Sequence, residues 1–133
     1  MQSETRVAIS SAADIVTARR AGRTLATALG FNGSDLTLIA TSISEVARNI
    51  VDHAKRGEII LAPVHQGNKH GIAIIARDEG PGISDVGLAM QYGYSSRKGL
   101  GVGLPGAKWL MDDFDIDSKV GKGTTVIMKK WMH

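Results

Sequence analysis

The chain has 133 residues, 43% of them hydrophobic, and a net charge of +3 from 16 Lys+Arg against 13 Asp+Glu, which suits a single domain with one core. The absence of cysteine excludes disulfides, zinc thiolates and a cysteine nucleophile. No run nears the ~18 apolar residues of a membrane span, and MQSETRVAIS lacks the basic start and apolar core of a signal peptide, so a cytoplasmic protein with no membrane partner is expected. Scattered basic residues and only two each of Trp, Tyr and Phe leave no stacking platform for nucleic acid.

Residues 5–9 alternate around Val7 and Ile9 and predict a short strand. A helix is expected over 13–29, with Ile15, Val16, Leu25 and Leu29 near helical spacing and Gly30 as the C-cap. Asn32 or Ser34 is placed to cap a second helix over 35–54, where Leu36, Ile39, Ile43, Val46 and Ile50 form an apolar stripe. Residues 58–64 and 71–78 read as strands joined by a polar hairpin loop over 67–71, and GIAIIARD reads as the central strand. The glycine-rich stretch 80–103 is expected to be irregular, with a short helix near 86–91. A helix over 104–111 tolerates Pro105 in its first turn. Strands over 114–118 and 124–130 close the chain around a turn at 120–123. The expected fold is α+β, a two-layer α/β sandwich whose mixed or antiparallel sheet carries helices on one face.

Four places carry chemistry. Glu45 and Asn49 stand one helical turn apart on one face. They read either as a solvated flank or as a base beside a hard oxygen ligand for Mg²⁺. Asp78 ends the central strand and leads into Gly80 and Gly82. That is an ordinary turn, or a carboxylate placed for a base amine beside a backbone that a ligand can approach. Gly99, Gly101, Val102 and Gly103 lead into a helix, where exposed N–H groups and the helix dipole suit phosphate. No Walker A or dinucleotide fingerprint accompanies them. The turn Gly121-Lys122-Gly123-Thr124-Thr125 is a good hairpin in its own right.

The series E-x-x-x-N, D-x-G-x-G, G-x-G-x-G, G-x-G-T, in that order over residues 35–130, resembles the motif set of the GHKL ATP-binding superfamily, which includes gyrase, Hsp90-type chaperones, histidine kinases and mismatch-repair ATPases. More narrowly, ISEVARNI, DEGPGI, GLGVGLPG and LMDDF are similar to the small serine/threonine kinases that regulate bacterial sigma factors by partner switching, and within them to stressosome switch kinases.

That resemblance implies a role for each matching residue. Asn49 would bind the Mg²⁺ that bridges the ATP phosphates, and Glu45 would be the general base. Asp78 would accept the adenine amine, with Gly80 and Gly82 shaping the pocket and Thr124 reaching it directly or through water. Residues 84–98 would form a short lid, and Gly99, Gly101, Val102 and Gly103 would line the phosphates. Arg97 and Lys98 depart from the small residues of the stress-response relatives. They read either as stabilisers of transition-state charge or as solvated lid charges. The implied substrate is a STAS-domain protein of a stressosome-like complex, and the implied second partner is a PP2C-type phosphatase regulator. An anti-sigma factor that phosphorylates its own antagonist is the alternative, with the same fold and ATP site.

Overall fold

Alternation along the strands decides which side of the sheet the helices cover. Ile59, Leu61, Ile72, Ile74, Val126 and Met128 point one way and are fully buried. Their neighbours Glu58, Ala73, Ile75, Arg77, Thr125 and Ile127 point the other way and retain some exposure. The computed structural model describes residues 4–82 and 103–132. In chain order these form β1 (Thr5–Ile9), α1 (Ala12–Leu29), α2 (Ser34–Asn49), β2 (Gly57–Gln66), β3 (Lys69–Asp78), α3 (Gly103–Leu110), β4 (Asp113–Lys119) and β5 (Gly123–Trp131). The sheet order is β1-β2-β3-β5-β4, and every pairing is antiparallel. β3 is central, as GIAIIARD suggested. The core lies between the inner sheet face and the helices, joining Ile9, Ile59, Leu61, Ile72, Ile74 and Met128 to Ala18, Ile39, Ile43, Ile50 and Ala107. The two-layer α+β sandwich is therefore the observed architecture.

Local details differ from the sequence reading for physical reasons. In α1 the buried face is Ile15, Ala18, Gly22 and Ala26, while Val16 is exposed. Small residues make the contact because α1 lies against α2: a methyl on Gly22 would collide with Ile43 Cδ1. Neither Asn32 nor Ser34 caps α2. Gly33 takes the N-cap position at φ 59°, a backbone that favours glycine, and Ser34 is already inside the helix. The α-helix stops at Asn49, and a single π-helical turn, Ile50–Ala54, continues it. That turn ends on Lys55 at φ 72°, whose N–H reaches back to the Ile50 carbonyl at 2.8 Å. The β2–β3 hairpin is tighter than read. Gln66 pairs with Lys69 and Val64 with Gly71, so only Gly67 and Asn68 form the turn. The expected short helix near 86–91 lies outside the described residues.

Candidate functional site

The fold gathers three of the four motifs at the carboxyl end of β3. Asp78 is the last residue of that strand and is 9% exposed. Its Oδ1 accepts the Gly80 N–H at 2.9 Å, an Asx-type turn that fixes the carboxylate on its own loop. Its Oδ2 accepts no hydrogen bond among the described residues. Across the sheet, Asp78 pairs with Thr124 and Thr124 with Ser118. The Thr124 and Ser118 hydroxyls are 2.7 Å apart, and Ser118 Oγ also donates to the Gly123 carbonyl at 3.3 Å. Ser118 thus orients the threonine that the motif identifies. Sequence reasoning passed over it, and only the strand register reveals it.

Glycines let this end of the sheet approach its neighbouring segments closely. A methyl on Gly80 would run into Ala54, at the end of the π-helical turn. Gly82, at φ 77°, would meet the Lys119 carbonyl. The Gly121 N–H donates to the Pro81 carbonyl at 2.8 Å. These contacts seat the Asp78–Gly82 loop between the end of α2 and the β4–β5 turn, joining motifs forty residues apart.

Glu45 occupies the next turn of the site. It is 8% exposed, and both of its oxygens are engaged. Oε1 accepts the Gly103 N–H at 2.9 Å, and Oε2 accepts from Arg48 Nη1 at 3.0 Å. Gly103 opens α3, so the carboxylate sits at a helix N-terminus, where unpaired N–H groups favour negative charge. Arg48 is the second residue that sequence reasoning missed. Its signal was the i,i+3 spacing from Glu45 on one helix. Asn49 is half-buried, and its side-chain amide has no hydrogen-bond partner among the described residues. Of the predicted site, then, Glu45, Asn49, Asp78, Gly80, Gly82, Gly103 and Thr124 fall on the described residues. Arg97, Lys98, Gly99, Gly101 and Val102 lie outside them. The described residues hold no cluster of three or more His, Cys, Asp or Glu side chains fit to bind a metal.

A buried acceptor beside a glycine-lined wall, with a carboxylate on a helix N-terminus next to it, fits one known family over most of the chain. The histidine kinase-like ATPase domain matches residues 9–130. This chain belongs to that family. It is 46% identical to the serine/threonine-protein kinase RsbT of Bacillus subtilis over 133 residues, all of both chains. It is 36% identical to an anti-sigma F factor of Thermoanaerobacter over 71% of this chain and 68% of that one. Among solved structures, the RsbU and RsbW domains of a Mycobacterium tuberculosis protein align with TM-score 0.63 at 21% identity. That alignment covers all of this chain and 33% of the other, and it bears on the fold alone. The sequence relationships make the chain an ATP-using serine/threonine kinase of the sigma-factor-regulating branch. No helix among the described residues is long and apolar enough to cross a membrane.

Proposed function

We propose that this chain transfers the γ-phosphate of Mg²⁺–ATP to a serine or threonine of a STAS-domain protein in a stressosome-like complex. It then engages a second partner, a PP2C-type phosphatase regulator. The observation that carries this reading is the placement of Glu45, buried and bonded to the first N–H of α3, one turn before Asn49, whose amide has no partner among the described residues. A pure nucleotide binder needs no such base.

The residues fit the nucleotide. The Oδ2 of Asp78, without a partner among the described residues, is a pure acceptor for the adenine amine, which selects ATP over GTP, and Thr124 lies directly across the strand pair from it. The Asn49 carbonyl is a hard oxygen of the kind Mg²⁺ takes as a single protein ligand, with phosphates and water supplying the rest. Mg²⁺, when bound, neutralises charge on the phosphates. At the transfer step the acceptor hydroxyl oxygen forms the new bond to phosphorus, the bond to the β-phosphate oxygen breaks, and Glu45 takes the hydroxyl proton. Arg48 keeps Oε2 in place while Oε1 and the first turn of α3 hold register with each other.

The deciding experiment measures γ-labelled phosphate transfer onto a cognate STAS-domain protein, wild type beside Glu45→Ala. Label on serine or threonine with wild type alone supports both the kinase and its base; full transfer by the variant would remove Glu45 from that role. Asn49→Ala should weaken ATP binding only where Mg²⁺ is present, and a loss independent of Mg²⁺ would count against its ligand role. The second reading, an anti-sigma factor that phosphorylates its antagonist, is favoured by the 36% identity to an anti-sigma F factor. Tight capture of a sigma factor by the ATP-bound chain would select it.

A further inference from the structure

The chain has two tryptophans, and they stand in opposite environments. Trp131 is 4% exposed, its indole N–H donates to Asp113 Oδ2 at 2.9 Å, and its backbone N–H donates to Asp112 Oδ2 at 2.7 Å. Trp109, on α3, is 83% exposed. The four residues Leu104 to Ala107 anchor that helix in the core, so Trp109 contributes nothing to its packing. The neighbouring acids are already committed, Asp113 to the Trp131 indole and Asp112 to both the β5 backbone and Lys130 Nζ, 3.6 Å away. Lys108, beside Trp109, is exposed as well. The surface at the end of α3 is therefore an unburied indole next to a cation, with no structural task among the described residues. Tryptophan is the residue most enriched among the anchors of protein interfaces, and an indole left in water is uncommon.

Location identifies the occupant. α3 begins at Gly103, whose N–H holds the Glu45 carboxylate. Trp109 is six residues further along the same helix, a rise of about 9 Å. A protein interface of standard size covers about 800 Å² on each partner, a disc of roughly 16 Å radius. A folded protein of that footprint, bringing a hydroxyl to Glu45, has the reach to cover the end of α3. We infer that Trp109, with Lys108, is the docking anchor for the phosphoacceptor protein and helps determine which acceptor the kinase selects. The matching surface on that protein is an apolar pocket rimmed by carboxylates. This rests on the proposed kinase reading and adds the point at which the substrate is held.

The test combines binding and kinetics on the full chain, with a tryptophan-free version of the STAS-domain protein and a non-hydrolysable ATP analogue. The emission of Trp109 should shift to the blue when that protein is added, and the shift should vanish in Trp109→Phe. In transfer assays Trp109→Ala should raise the KM for the STAS-domain protein tenfold or more, about 1.4 kcal/mol, while ATP affinity stays at the wild-type value. Transfer with no emission shift and an unchanged KM overturns the docking and leaves the kinase standing. A shift without transfer supports the docking and overturns the kinase reading. A shift that grows with the concentration of this chain alone assigns Trp109 to a contact between copies, which also overturns the inference.

Discussion

Glu45 and Asp78 are both buried carboxylates that accept a backbone N–H from a glycine at 2.9 Å, yet they are held in different ways. The donor to Asp78 is two residues away, on its own loop, and the second oxygen has no partner among the described residues. The donor to Glu45 is 58 residues away, at the first turn of α3, and its second oxygen is held by Arg48. The proposed adenine acceptor is thus bonded within its own loop, which neighbouring segments seat. The proposed base is set by tertiary docking and depends on where α3 lies. In the proposed reading, a site divided in this way leaves phosphoryl transfer sensitive to anything that moves the start of α3.

The largest expected effect comes from removing the base with little change of shape. Glu45→Gln should lower transfer by ~10²–10⁴, the usual contribution of a positioned proton acceptor, with ATP affinity unchanged. Asp78→Asn should do the reverse. Its oxygen would stay with the Gly80 N–H, which turns the amide NH₂ toward the adenine amine, so two donors face each other. ATP affinity should fall roughly 10–100-fold, as expected for a lost hydrogen bond to a charged acceptor. Transfer at saturating ATP should persist. Titration calorimetry beside single-turnover transfer separates the two patterns. If both variants lost affinity together, the division between a local acceptor and a docked base would be wrong.

A smaller effect sharpens the Asp78 side. Ser118→Ala removes the hydroxyl that bonds Thr124 at 2.7 Å without touching the carboxylate. Because the same hydroxyl also donates to the Gly123 carbonyl, a loss of about 1–2 kcal/mol of stability is expected, with a modest weakening of ATP binding and no change in transfer at saturation. Thermal melts with and without ATP would resolve it. Unchanged ATP affinity would mean that Thr124 does not need Ser118 to face the pocket.

The same contrast explains what could be read in the sequence. Asp78 and its glycines were legible because the loop that fixes them is contiguous. Glu45 and Asn49 were legible because helical spacing puts them on one face. Arg48 also lies within that spacing, but an arginine at i,i+3 from a glutamate is so common on solvated helices that pattern alone gives it no weight. Ser118 needed the register of the β4–β5 hairpin, in which Lys119 faces Gly123 and Ser118 faces Thr124; the motif marks the turn but not which residue stands opposite Thr124. The face of α1 was misjudged at Val16 because helix contact here depends on small residues, Ala18, Gly22 and Ala26. Hydrophobic periodicity counts large side chains and misses a face built for close approach.

The smallest expected effect lies away from the site, on the open face of the sheet, and concerns stability alone. Arg77 Nε donates to Glu58 Oε2 at 3.2 Å, and Arg6 Nη1 donates to Oε1 at 3.2 Å. The Arg77 hydrogen bond, aided by the charges of Arg77 and Arg6 against an opposing desolvation, holds the Glu58 carboxyl below its ordinary value of 4.5. A depressed carboxylate stabilises the fold fully above its unfolded-state value and loses that contribution as pH falls through the lower folded-state value. Glu58→Gln should therefore be slightly less stable than wild type near neutral pH, and the difference should shrink as the pH drops below ~4.5. Partial exposure keeps the effect small, as for most surface pairs. Urea melts at several pH values would measure it, together with ATP affinity, which should not move. A fall in affinity would tie the open face to Asp78, the residue after Arg77 in β3, and weaken the view that the adenine acceptor is fixed by its own loop.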